Sequence, residues 1–149
     1  MKKILSFVFA VCLLVPALAL VACGAKVPGT YNVTSVVTTL NGSETTITKS
    51  EYNELKEKNA LDRTAGETLK VAVGKLVFDV VKWTFNEDNT FTYYQAEGDA
   101  GTWALDGDLL RVTYKGTEDT QDFEFKKGKI SYTVTIGGYK MSLTLEKSK

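Results

Sequence analysis

The residues able to do chemistry in this chain of 149 are few, and their positions are uneven. There is no histidine, so the commonest general base and the commonest metal ligand are both missing. The two cysteines, Cys12 and Cys23, both fall near the start, and no thiol follows them to act as nucleophile or to build a disulfide framework. Carboxylates are plentiful but come in isolated pairs: Glu87-Asp88, Glu97 with Asp99, Asp106 with Asp108, and Glu118-Asp119. Calcium requires six to eight converging oxygens, and a glycosidase requires one carboxyl group in an apolar setting. Each pair here sits among Gly, Asn and Thr in its own polar turn, where Asp is simply a good turn former. The composition therefore points away from an enzyme, a metal protein or a cofactor carrier.

The remaining candidates are one cysteine and a set of rings. Lys2-Lys3 is followed by an uncharged, almost wholly apolar run from Ile4 to Ala22, the pattern of a secretory leader with its apolar core of about 7–15 residues. The run is also close to the ~20 residues that span a bilayer, but Pro16 interrupts it and it ends in small residues. Leu20-Val21-Ala22-Cys23 resembles a bacterial lipobox, in which the cysteine is acylated and becomes the new N-terminus. The resemblance implies a signal peptide over 1–22 and a diacylglycerol on Cys23, with palmitate-type chains holding the protein to a membrane outside the cytoplasm. Two or more chains anchor stably, since each buried methylene contributes about 0.8 kcal/mol. Residues 23–28 form the lipidated end and a short tether. Without Lys2 and Lys3, 16 basic residues face 18 acidic ones, a balance that offers nucleic acid no basic face.

The elements that must position the rings follow from periodicity. Thr30 to Leu40 is rich in Thr, Val and Tyr, as strands prefer, and Asn41-Gly42 predicts a hairpin back through Glu44 to Thr48. Thr48 and Glu51 fit a capping box, predicting a helix to about Asn59 with Tyr52, Leu55 and Ala60 on its apolar side. A second helix is expected from Thr64, with Ala65, Leu69, Val73, Leu76, Val77 and Val80 on one inward stripe and a switch to strand near Phe78. Gly66 and Gly74 would let it bend. Seven alternating segments then run to the C-terminus, carrying Val81, Trp83 and Phe85; Phe91 and Tyr93; Gly101, Trp103 and Leu105; Leu110, Val112 and Tyr114; Phe123 and Phe125; Ile130 to Ile136; and Met141, Leu143 and Leu145. Tight turns separate them, including Asp106-Gly107, Lys127-Gly128 and Gly137-Gly138.

The expected fold is all-β: an antiparallel up-and-down barrel of about eight strands over 29–149, with a helical insertion at about 48–78 between the first strands and the meander. A two-sheet sandwich would need longer crossovers. Gly29-Thr30-Tyr31, then W-T-F-N-E-D-N-T-F from Trp83, G-T-W-A-L-D-G-D-L-L-R-V from Gly101 and M-S-L-T-L-E-K from Met141, resemble the lipocalin-like domains of secreted bacterial lipoproteins. Lipocalins carry Gly-x-Trp on the first strand, whereas Tyr31 holds the third position here. Strand, helical pair and meander is also the order in fatty-acid-binding proteins. The resemblance implies binding of a small hydrophobic or amphipathic ligand, and the inward rings of the alternation, Trp83, Phe85, Tyr93, Trp103, Tyr114 and Tyr132, are the candidate pocket residues. The alternative is an envelope scaffold whose barrel is filled by these rings, because eight strands enclose a space that side chains can just fill. The insert then either plugs one end of the barrel or serves as a lid or partner-binding face.

Overall fold

The computed structural model describes residues 26–94, 98–136 and 138–149. The leader, Cys12, Cys23, Glu97 and Gly137 lie outside the described residues.

Strand β1 (Gly29–Leu40) turns at Asn41-Gly42 into β2 (Ser43–Thr48). Both turn residues have positive φ, 50° and 80°, the geometry of a type I′ turn that Asn-Gly adopts readily. Helix α1 (Lys49–Glu57), a short 3-10 turn at Ala60–Asp62 and helix α2 (Ala65–Val77) follow. The meander then runs as β3 (Lys82–Phe85), β4 (Thr90–Tyr93), β5 (Gly101–Asp106), β6 (Leu109–Tyr114), β7 (Thr120–Lys126), β8 (Lys129–Ile136) and β9 (Tyr139–Lys147). Every pairing is antiparallel between neighbours, and β1 pairs with β9 to close the sheet. The result is the expected eight-stranded barrel, β1 with β3 to β9, to which β2 is added.

The addition of β2 has a simple cause. One edge of β1 pairs with β9 along most of its length. On its other edge Gly29 to Asn32 pairs with β3, while Ser35 to Leu40 pairs with β2. Strand β1 is longer than the barrel wall, and its far half, with β2 and the β8–β9 hairpin, extends past the rim. A bulge between Val33 and Ser35 bends β1 and keeps both Val33 and Val36 buried. The turn joining β5 and β6 falls at Gly107-Asp108, one residue later than expected, because Asp106 pairs with Leu109. With positive φ at Gly107 alone of the two, this is the type II′ pattern.

The barrel interior is packed with rings. Tyr31, Phe85, Phe91 and Phe123 are fully buried with Leu110, Val112 and Leu145. Trp83 stacks on Phe85 and Phe91 with centroids 6.0 and 5.5 Å apart, and meets Phe123 edge-on at 5.0 Å. Such offset and T-shaped contacts add about 0.5–1.5 kcal/mol each beyond the area they bury. Gly101 allows β5 to approach β6, since a Cβ there would lie 2.0 Å from the Thr113 carbonyl oxygen.

The first helix turns Tyr52 and Leu55 inward as expected, and the second differs from expectation in its rotation. Thr48 caps α1 by accepting from the Glu51 amide at 3.2 Å, but the Glu51 carboxylate accepts from Lys70 on α2 at 2.6 Å. The full capping box forms one helix later, at Thr64 and Glu67. Arg63 donates to the carbonyls of Leu55, Lys56 and Lys58, satisfying the otherwise unpaired end of α1. Ala60, expected on the apolar side, is exposed in the 3-10 turn. On α2 the buried residues are Val71, Gly74 and Val77, not the whole Leu69–Val73–Leu76 stripe. Leu69 is 64% and Leu76 71% exposed. Gly74 is not a bend: Tyr52 of α1 sits where its side chain would be.

Candidate functional site

Turning α2 this way leaves an apolar cleft. Its inner wall is formed by the part of the sheet that overruns the barrel: Thr38 and Leu40 of β1, Thr45 and Ile47 of β2, and Tyr139 and Met141 of β9. Registers Val36↔Ile47, Thr38↔Thr45 and Thr38↔Met141 put these side chains on the same face as the core residues Val36 and Leu143. The facing wall is Gly66, Leu69, Lys70, Val73 and Leu76 of α2. The space between is about 570 Å³, within the ~300–1,000 Å³ range of small-molecule sites. Lys70 is the one charged residue in the lining, and its ammonium group is paired with Glu51. The sheet wall adds hydroxyls at Thr38, Ser43 and Thr45, giving an apolar cleft with a few polar groups in its lining.

The helix pair that holds the cleft open is fixed by a small polar cluster. The Tyr52 ring is buried, packs on Phe78 at 5.4 Å, and donates its hydroxyl to Asp79 at 2.5 Å. Lys49 donates to the Phe78 carbonyl and the Asp79 carboxylate, and Lys56 lies 3.6 Å from the same carboxylate. Burial, then the Asp79 hydrogen bond, pushes the Tyr52 phenol up to about 12. The Tyr52 hydrogen bond, assisted by the two lysines, holds the Asp79 carboxyl below its usual range.

A second, smaller hollow of about 330 Å³ lies at the barrel mouth between Val80, Val81, Trp83, Tyr93, Tyr94 and Tyr132. Three of the six residues named from sequence meet there: Trp83, Tyr93 and Tyr132. Burial raises the Tyr132 phenol, so it stays neutral near neutral pH. The other three serve the wall. Phe85 is buried among Tyr31, Trp83 and Phe91. Trp103 donates its indole N–H to the Asn86 carbonyl at 3.1 Å. Tyr114 donates to the Gln121 side-chain oxygen at 2.8 Å.

The larger cleft shares no residue with that set. One sequence signal pointed to it: α2 carries apolar residues on more than one face, Leu69-Val73-Leu76 as well as Val71-Val77, although one stripe suffices to seat a helix. Of the acidic turns, Asp88 is used locally, accepting from the Thr90 amide and hydroxyl; within β7, Asp122 holds Arg111 in a two-point pair at 2.7 and 2.8 Å.

No protein-family model, no curated protein and no solved structure matches this chain. Among the described residues no helix is long and apolar enough to cross a membrane.

Proposed function

We propose that this chain is a non-catalytic binding module of the bacterial envelope, anchored through lipid on Cys23 and holding a small hydrophobic or amphipathic ligand. The observation that carries the reading is the apolar cleft of about 570 Å³ between α2 and the overrunning sheet. Water in such a cleft makes few hydrogen bonds, so an apolar molecule displaces it favourably, by ~25 cal/mol per Å² covered. The few polar groups of the lining, Lys70, Ser43 and Thr45 among them, suit a ligand with one polar end. Relative to the sequence expectation, the ligand moves out of the ring-filled barrel and into the space under the helix. The test is native mass spectrometry of the chain from Gly24 purified from cells. A co-purifying small molecule that disappears in Val73→Trp supports the reading, and ligand-free protein in every preparation opposes it. The anchor is tested separately: Cys23→Ser should leave the membrane fraction.

One observation favours a second reading, an envelope scaffold that binds a protein. Leu61 is 92% exposed at the 3-10 turn, on the same insert as Leu69 and Leu76. A partner captured by this face would be lost in Leu61→Asp with the cleft intact.

A further inference from the structure

The chain enters the barrel at the end of β1 opposite the cleft. Val27 is buried in the barrel core, and the Pro28 carbonyl accepts from the Lys147 ammonium group. Gly29 then enters β1 opposite Phe85, and the Ser148 amide donates to the Thr30 carbonyl at 2.7 Å. The chain is therefore fixed to the barrel from Val27 onward, which leaves at most 23–26 of the 23–28 expected from sequence as tether. From Cys23 to the docked Val27 the chain can span at most about 14 Å. Thr38, in the cleft wall, is nine residues further along β1 than Gly29, about 30 Å at ~3.3 Å per residue. The register places the turns at Glu87–Asn89, Gly107-Asp108 and Lys127-Gly128 at the Gly29 end, and Asn41-Gly42 and Gly138 at the cleft end.

We propose that the cleft stands at the membrane-distal end of the anchored barrel, and that its ligand is a small apolar or amphipathic molecule taken from the aqueous side rather than a lipid drawn from the bilayer beneath. This rests on the two readings above, a lipidated Cys23 and a ligand-binding cleft. The tether is too short to swing the mouth downward while Val27 and Pro28 stay docked.

The experiment uses the full-length chain, processed in cells, in vesicles of phosphatidylglycerol and phosphatidylcholine carrying a lipid-linked energy-transfer acceptor. A donor dye is placed on Glu87→Cys at the anchored end or on Ser43→Cys at the cleft. Transfer should be strong at Glu87→Cys and fall at Ser43→Cys, whose dye should remain open to quenching by aqueous iodide. Equal transfer, or more at Ser43→Cys, means a barrel lying flat or inverted and overturns the proposal. No transfer at either position, with protein free of vesicles, overturns it through the anchor. Native mass spectra of vesicle-bound protein should show no phospholipid beyond the covalent one, and bound phospholipid would also overturn it. Separately, N-phenylnaphthylamine binding that is unchanged by Val73→Trp refutes the cleft as a ligand site while leaving the measured orientation intact.

Discussion

The ring of Tyr52 occupies the space that a side chain on Gly74 would need: a Cβ built there would lie 2.1 Å from the ring Cδ2. This contact sets how closely α1 and α2 approach, and so the rotation of α2 that leaves Leu69, Val73 and Leu76 on the cleft. Gly74→Ala should cost at least about 1–3 kcal/mol, the usual cost of overpacking, because Tyr52 is fully buried and cannot give way. Gly66→Ala, whose Cβ would meet only the Thr64 hydroxyl at 4.0 Å, should instead stabilise by about 0.4–1 kcal/mol. Thermal melts followed by circular dichroism separate the two.

The Tyr52–Asp79 bond predicts how stability depends on pH. Asp79 titrates below its ordinary value when folded, so its contribution is present above the unfolded value and is lost as pH falls through the folded one. Tyr52 titrates at about 12 against 10.0 unfolded, so its contribution is complete below pH 10.0 and is lost as pH rises towards about 12. Asp79→Asn should flatten the acid limb and lower the Tyr52 phenol, read as phenolate absorbance with Tyr52→Phe as the blank.

The Tyr31 hydroxyl is buried with no hydrogen-bond partner among the described residues, while its ring packs edge-on against Phe85 and Phe125. A buried unpaired hydroxyl costs about 1–3 kcal/mol. Tyr31→Phe keeps the ring and removes that cost, so urea unfolding should show equal or higher stability. A marked loss would mean that the hydroxyl has a partner, such as an ordered water.

Much of this fold can be read in the sequence because its signals are local. Asn41-Gly42 and Lys127-Gly128 state their turns, the alternation of Trp83, Phe85, Phe91 and Phe123 states which face is inward, and Thr64 with Glu67 marks the start of α2. The overrun of β1 past the barrel rim is not legible, because it depends on β3 being four residues long against twelve in β1. Nor is the rotation of α2, because its apolar residues fit two orientations, and Tyr52, more than twenty positions earlier, selects between them through Gly74. The cleft depends on these two nonlocal facts; of the rings named from sequence, Trp83, Tyr93 and Tyr132 line the smaller hollow at the barrel mouth, and none lines the cleft.

The cleft should bind amphipaths with the polar end at Lys70. Lys70→Met removes the ammonium that pairs with Glu51 and leaves the helix stem in place. It should weaken a carboxylate-bearing probe relative to an uncharged probe of the same chain length, with little change in melting temperature, since a half-exposed ion pair contributes about 0–1 kcal/mol. Equal weakening of both probes would place the polar end elsewhere.

The most direct test of the binding claim is a titration of N-phenylnaphthylamine against the chain and against Val73→Trp and Leu61→Asp, with folding of each confirmed by circular dichroism. Val73 faces the sheet across the cleft, so an indole there fills the space, while Leu61 lies outside the lining. The prediction is saturable fluorescence enhancement that Val73→Trp abolishes and Leu61→Asp leaves unchanged. No saturable binding by the parent chain, or binding that survives Val73→Trp in full, would contradict the account.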